Sequence, residues 1–197
     1  MKNFLFRRIK KSDYERVINL ILSADPYTYT NLFGGEEKAQ KIMPFLFENE
    51  NSIFHKSNFF CCEYEGEVIG ICSLFFHYID WNEDTFFEAF ILANETYPQT
   101  FKEACQSFKQ EYNSFTVGVS ICQVSIIRDY RNQGVGTFLL QEILKIYGNA
   151  PIQLYVNKDN LAAIHLYSKF GFKIISEAED YAGPNRSKLK VLKMVRM

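Results

Sequence analysis

The chain has 197 residues, enough for one sizeable core and short for two independent domains. A hydrophobic content of 47% excludes a disordered chain, and a net charge of −1 gives no pull toward nucleic acid or an acidic membrane surface. No apolar run reaches the roughly 18 residues that span a bilayer, the first residues lack a signal-peptide apolar core, and the five cysteines show no paired metal spacing. A cytoplasmic protein with buried, reduced thiols and no metal site is the expectation.

Phe4 to Ile9 reads as a first strand. Ser12 and Asp13 then cap a helix whose apolar side is Val17, Ile18, Leu20, Ile21 and Leu22, and Ala24-Asp25-Pro26 ends it. Tyr27 to Gly35 reads as an aromatic loop, followed by a helix over about Glu36–Glu48. Asn58–Tyr64 and Val68–Phe76 form a hairpin around Glu65-Gly66-Glu67. Asp80 to Asp84 has turn composition. Phe86–Leu92 and Phe101–Tyr112 carry apolar residues at mostly helical spacing, with Pro98 between them.

Val117 to Ile127 is rich in β-branched residues and apolar on both alternating faces, as expected of a strand covered on both sides. Phe138, Leu139, Leu140, Ile143, Leu144 and Tyr147 then recur at helical spacing. Ile152–Val156 is the next strand, so this stretch reads as a βαβ unit with parallel strands and a right-handed crossover. A helix over Leu161–Phe170 follows with Asn160 at its N-cap, and Phe172–Ser176 and Leu189–Met197 are closing strands. The loop between them, Glu177–Ser187, contains Gly183-Pro184-Asn185 and is a candidate cover for a neighbouring cleft. His55, His77 and His165 carry no motif.

Chemistry concentrates in the turn Arg131-Asn132-Gln133-Gly134-Val135-Gly136-Thr137. The first turn of a helix has unpaired backbone N–H groups and partial positive charge, and glycines let a ligand approach them. Arg128 and Arg131 add charge, so the turn can cradle a phosphate or pyrophosphate. A P-loop would need lysine after its last glycine, where Thr137 and Phe138 stand. A dinucleotide fingerprint would need a third glycine where Leu139 stands, and an acidic residue where the next strand ends in Asn157. A nicotinamide oxidoreductase rests only on the two glycines.

Arg-x-x-Gly-x-Gly after a long strand, preceded by Asp129-Tyr130, resembles the acyl-CoA loop of the GNAT N-acetyltransferases. Asn160 through Leu166-Tyr167 to Gly171-Phe172 is similar to the family's second block, in which asparagine opens a helix, a Leu-Tyr pair lies on it and Gly-Phe ends it. The resemblance implies an α/β, mixed α+β, GNAT-like fold. Its sheet is mostly antiparallel, with a parallel βαβ unit and fourth and fifth strands that splay apart. It implies one domain over 1–197, in which 78–115 is an insertion beside the acceptor cleft. The implied activity is transfer of acetyl from acetyl-CoA to a primary amine of a small molecule, amino acid or peptide N-terminus. The alternative is a non-catalytic acyl-CoA sensor of the same fold.

By the same resemblance, backbone amides from Asn132, Gln133, Gly134, Val135, Gly136 and Thr137, beside Arg131, hold the pyrophosphate. Val124, Ser125 and Ile126 align the pantetheine, and the Asn160 side chain meets its amides. Tyr167 is the general acid: proton transfer from tyrosine to the leaving thiolate is uphill by only about 2 kcal/mol. Tyr27, Tyr29 and Phe33 are candidates to touch the acceptor. Some members carry a glutamate base on the fifth strand, where this sequence has Tyr155. The base is left to water, a backbone carbonyl or a carboxylate of the insertion, such as Glu83, Asp84 or Glu88. A homodimer is an expectation from the family alone.

Overall fold

A computed structural model describes residues 2–76, 82–114, 118–180 and 189–197. Seven strands form one sheet in the order β1-β2-β3-β4-β5-β7-β6. They are β1 (Leu5–Arg8), β2 (Phe59–Tyr64), β3 (Glu67–Phe76), β4 (Val119–Ile126), β5 (Ile152–Asn157), β6 (Lys173–Asp180) and β7 (Leu189–Arg196). Only β4 and β5 pair in parallel; every other neighbour is antiparallel. The helices are α1 (Tyr14–Ala24), α2 (Pro26–Phe33), α3 (Glu36–Glu48), α4 (Asp84–Leu92), α5 (Phe101–Ser114), α6 (Val135–Tyr147) and α7 (Leu161–Lys169).

Alternation along the strands builds two apolar layers. On β2, Phe59 and Cys61 join the core under α1 to α5, while Phe60 and Cys62 join the core under α6 and α7. The vicinal cysteines thus face opposite sides of the sheet. Four of the five thiols are buried and Cys122 is partly so.

The aromatic segment after Asp25 is a helix, not the loop its composition suggests. The Asp25-Pro26 pair that ends α1 also starts α2. Asp25 Oδ1 accepts from Thr28 N at 3.1 Å, Pro26 has no N–H to orphan, and Gly34 closes the helix at φ 84°. Asp13 does not cap α1 with its side chain. Its carboxylate instead receives the Arg7 guanidinium at 2.6 and 3.1 Å and Lys10 N at 2.8 Å, while Arg7 Nε donates to Glu63 at 2.7 Å. Of the two closing strands, β7 inserts between β5 and β6 and leaves β6 at the sheet's end. The segment 181–188, with most of the expected covering loop, and the turn residues 80–81 lie outside the described residues, as does His77.

Candidate active site

The site begins at an irregularity in β4. Ser73 of β3 pairs with Gln123 and Leu74 with Ile121, so Cys122 is an extra residue, a bulge that bends β4. On its other side β4 pairs with β5 only at Val119, Ser120 and Ile121. Beyond Ile121 and Leu154 the two strands part. β5 remains paired with β7 through Asn157, so Cys122 to Ile126 present the unpaired backbone edge.

The parting opens a cleft of ≈ 750 Å³. At one end lies the loop before α6. Asn132 (φ 59°) and Gly134 (φ 86°) both adopt the left-handed region, which Asn and Gly enter most readily. Phe138 N bonds Gly134 O at 2.9 Å and opens the helical ladder. The amides of Val135, Gly136 and Thr137 belong to the turn before it, which has no earlier helical carbonyls to bond. A Cβ at Gly136 would come within 3.1 Å of Leu166 and 3.2 Å of Ile126, so glycine there lets α6 approach α7 and the end of β4. Arg131 Nε donates to Ile126 O at 3.1 Å and ties the loop to the strand. Lys2, near the chain start, also reaches this loop: its ammonium donates to Gln133 Oε1 and lies 4.8 Å from the Tyr130 ring centre.

Val124, Ser125, Ile126, Arg131, Asn132, Gly134, Val135, Gly136, Thr137, Asn160 and Tyr167 all line this cleft, as does Tyr29. Gln133 is in the loop but not on the wall. Ser125 Oγ lies 3.0 Å from Ser23 Oγ, which pins the end of α1 to the strand edge. Asn160 Oδ1 accepts from Ala163 N at 3.1 Å, so the side chain that caps α7 is held by its acceptor oxygen. Tyr167 is 8% exposed and packs on Phe172. Burial, with nearby Cys72, pushes its hydroxyl above the ordinary tyrosine value, so it is protonated at neutral pH.

Two of the aromatic acceptor candidates stand elsewhere. Because the segment is helical, Phe33 turns into the core against Phe54 and Phe86 and is 0% exposed, and Tyr27 does not line the cleft. Sequence reasoning missed Phe75, Phe108, Cys122 and Gln123, and it named Tyr155 only as the residue at the family's glutamate position; all five line the cleft, as Tyr29 does. Only the bulge and the parting of the strands bring these residues together, and neither has a local pattern. Glu83, Asp84 and Glu88 do not line the cleft; Glu88 instead accepts from Asn49 at 3.1 Å. Among the described lining residues the one carboxylate is Asp25, held by Thr28 N and by Thr28 Oγ1 at 2.6 Å. His55 bonds Ser57, and His165 is exposed. Among the described residues no cluster of His, Cys, Asp and Glu could hold a metal, and no helix is long and apolar enough to cross a membrane.

Residues 19–172 match the Acetyltransferase (GNAT) family. The chain belongs to that family. An N-alpha-acetyltransferase of Sulfurisphaera tokodaii is 23% identical over 184 residues, covering 91% of this chain and 86% of that one. Among solved structures, an N-acetyltransferase from Staphylococcus aureus Mu50 superposes with a TM-score of 0.66 at 14% identity, covering 98% of this chain and 100% of the other. An Arabidopsis thaliana protein in complex with the bisubstrate analogue CoA-Ac-MVNAL gives 0.55 at 15% identity, with 98% of both chains covered. At these identities the structural matches speak for the fold. Membership makes this GNAT protein an acetyl-CoA-dependent acetyltransferase.

Proposed function

We propose that this GNAT acetyltransferase moves the acetyl group of acetyl-CoA directly onto an α-amino group, that of a peptide N-terminus or an amino acid derivative. The observation that carries this reading is the cleft between the parted β4 and β5, with the glycine-containing loop before α6 at one end and a buried tyrosine on its wall. When bound there, acetyl-CoA supplies the activated acyl group. Amides of the Asn132–Thr137 loop hold its pyrophosphate, and the free edge of β4 at Val124 to Ile126 aligns the pantetheine. A backbone N–H of that edge polarises the thioester carbonyl. The Asn160 Nδ2 donor contacts the pantetheine, and Tyr167 delivers a proton to the departing thiolate.

The cleft wall favours an α-amine. Asp25 is committed to capping α2, so the described wall offers no free carboxylate to take a proton. At pH 7 deprotonating a lysine side chain costs about 4.6 kcal/mol and an α-amino group only about 1 kcal/mol, which water can accommodate. The Sulfurisphaera relative's name and the peptide portion of the Arabidopsis complex point the same way. Tyr29, Phe75 and Phe108 give the acceptor side an apolar character, and Phe108 comes from the 78–115 segment, which on this reading shapes acceptor choice.

Free-thiol release from acetyl-CoA, with mass analysis of the acceptor, tests this on a panel of peptides blocked at the N-terminus, at lysine, or at neither. Acetylation confined to free N-termini is expected. Transfer to lysine side chains at an equal rate would overturn the α-amine assignment.

A further inference from the structure

The cleft holds a polar group that the chemistry above leaves unused. Among the described residues, Gln123 Nε2 is the buried side-chain polar atom with no hydrogen-bond partner. Gln123 is 6% exposed and lines the cleft two residues beyond the last β4–β5 pair, directly before Val124. The other end of its amide is fixed, because Ser73 Oγ, fully buried on β3, donates to Gln123 Oε1 at 3.0 Å. Turning the amide over would not help. The Ser73 hydroxyl would then lose the acceptor for its one proton, and Oε1 would be stranded in place of Nε2. A buried donor left unpaired is destabilising, and a bound water or a group of the acceptor entering the cleft supplies the missing partner.

We infer that Gln123 is a specificity residue whose Nε2 donates to a neutral oxygen of the acceptor, a carbonyl close to the reacting amine. The inference rests on the acetyltransferase reading above. A carbonyl fits better than a carboxylate. A desolvated carboxylate needs a cation, and the basic residue among the described lining residues is Arg131, at the far loop and bonded to Ile126 O. Gln123 adjoins the strand edge that aligns the donor, so a group bound to it lies near the acyl carbon. Peptide N-termini and amino acid amides carry such a carbonyl one carbon from the amine, and simple alkylamines do not. A site built around a buried donor discriminates against the analogue that lacks the matching acceptor.

Phenylalaninamide carries a carboxamide that phenethylamine lacks, which also makes its amine less basic, so the effect is read as the variant-to-wild-type ratio of kcat/KM on each amine, for Gln123→Met and the double variant Ser73→Ala/Gln123→Met. The double variant removes both partners of the internal bond, so it leaves no new orphan and guards against misfolding. Wild type should prefer phenylalaninamide. Both variants should lose about 3–10-fold on it and nothing on phenethylamine, with KM for acetyl-CoA unchanged. Equal losses on both amines, no loss on either, or wild-type activity only on amines without a carbonyl would overturn the inference. A wild-type protein that transfers acetyl to no amine would instead sink the acetyltransferase reading on which it rests.

Discussion

Tyr167 gives the sharpest residue-scale prediction. Tyr167→Phe should lower kcat by about 10²–10⁴-fold while the Kd for acetyl-CoA stays put, read from steady-state rates and calorimetric titration. Unchanged turnover would remove the acid role. The pH profile follows from burial. Desolvation, with Cys72 adding to it, holds the hydroxyl above its ordinary value, so the acid form persists throughout the working range. The rate should rise as the acceptor amine loses its proton and show no falling limb below about pH 10. A falling limb near neutrality that disappears in Tyr167→Phe would contradict this. Tyr167 and Asn160 were legible in the sequence because both lie in one short helix with a fixed spacing. Gln123 and Cys122 were not, because inside an apolar strand nothing in the sequence marks which residue is bulged or unpaired.

At the scale of elements, the strand, turn and helix around Gly134 and Gly136 were legible from the apolar run before them and the helical spacing after them. The two glycines alone do not mark a phosphate site, and only with the second block at Asn160 to Phe172 did they point to acyl-CoA. The handedness of the turn supplies a test. Gly134 holds φ 86°, where an added Cβ meets no neighbour but the backbone conformation itself is strained. Gly134→Ala should therefore cost about 1 kcal/mol of stability in urea unfolding and weaken acetyl-CoA binding, with the fold intact by circular dichroism. Full affinity in that variant would mean that the loop amides are not the anchor. The helix α2 shows why a neighbouring element was misread. Asp-Pro is both a stop for the preceding helix and a start for the next, and an aromatic segment with no obvious 3.6 period gave no reason to choose the second meaning. That choice placed Phe33 in the core and left Tyr29 at the cleft.

For the whole molecule, strand types and most boundaries followed from local patterns, but the sheet order did not. Nothing local to Leu189–Arg196 says that it inserts between β5 and β6. The first strand is tied to the rest by the Arg7–Asp13–Glu63 cluster, whose side chains are 8–19% exposed. Burial raises the Asp13 pKa, but the hydrogen bonds from Arg7 and Lys10 N outweigh it and hold the group below the ordinary carboxylate value. A depressed pKa contributes stability above the unfolded value of about 3.9, and this is lost as pH falls through the folded value. Arg7→Met should destabilise the protein by about 1–3 kcal/mol at pH 7, and by much less once the pH falls below the folded Asp13 value, in parallel urea titrations. Equal destabilisation at both pH values would show that the arginine acts by packing.

The central claim is that the parting of β4 from β5 makes an acetyl-CoA site. The most direct measurement is the thermal unfolding of the purified protein with acetyl-CoA, CoA, NADH and ATP in parallel. Acetyl-CoA at 100 times its Kd should add about 2.7 kcal/mol and raise Tm by several degrees, with NADH and ATP inert. A folded protein whose Tm is unmoved by acetyl-CoA and CoA, or moved equally by NADH, would contradict the account.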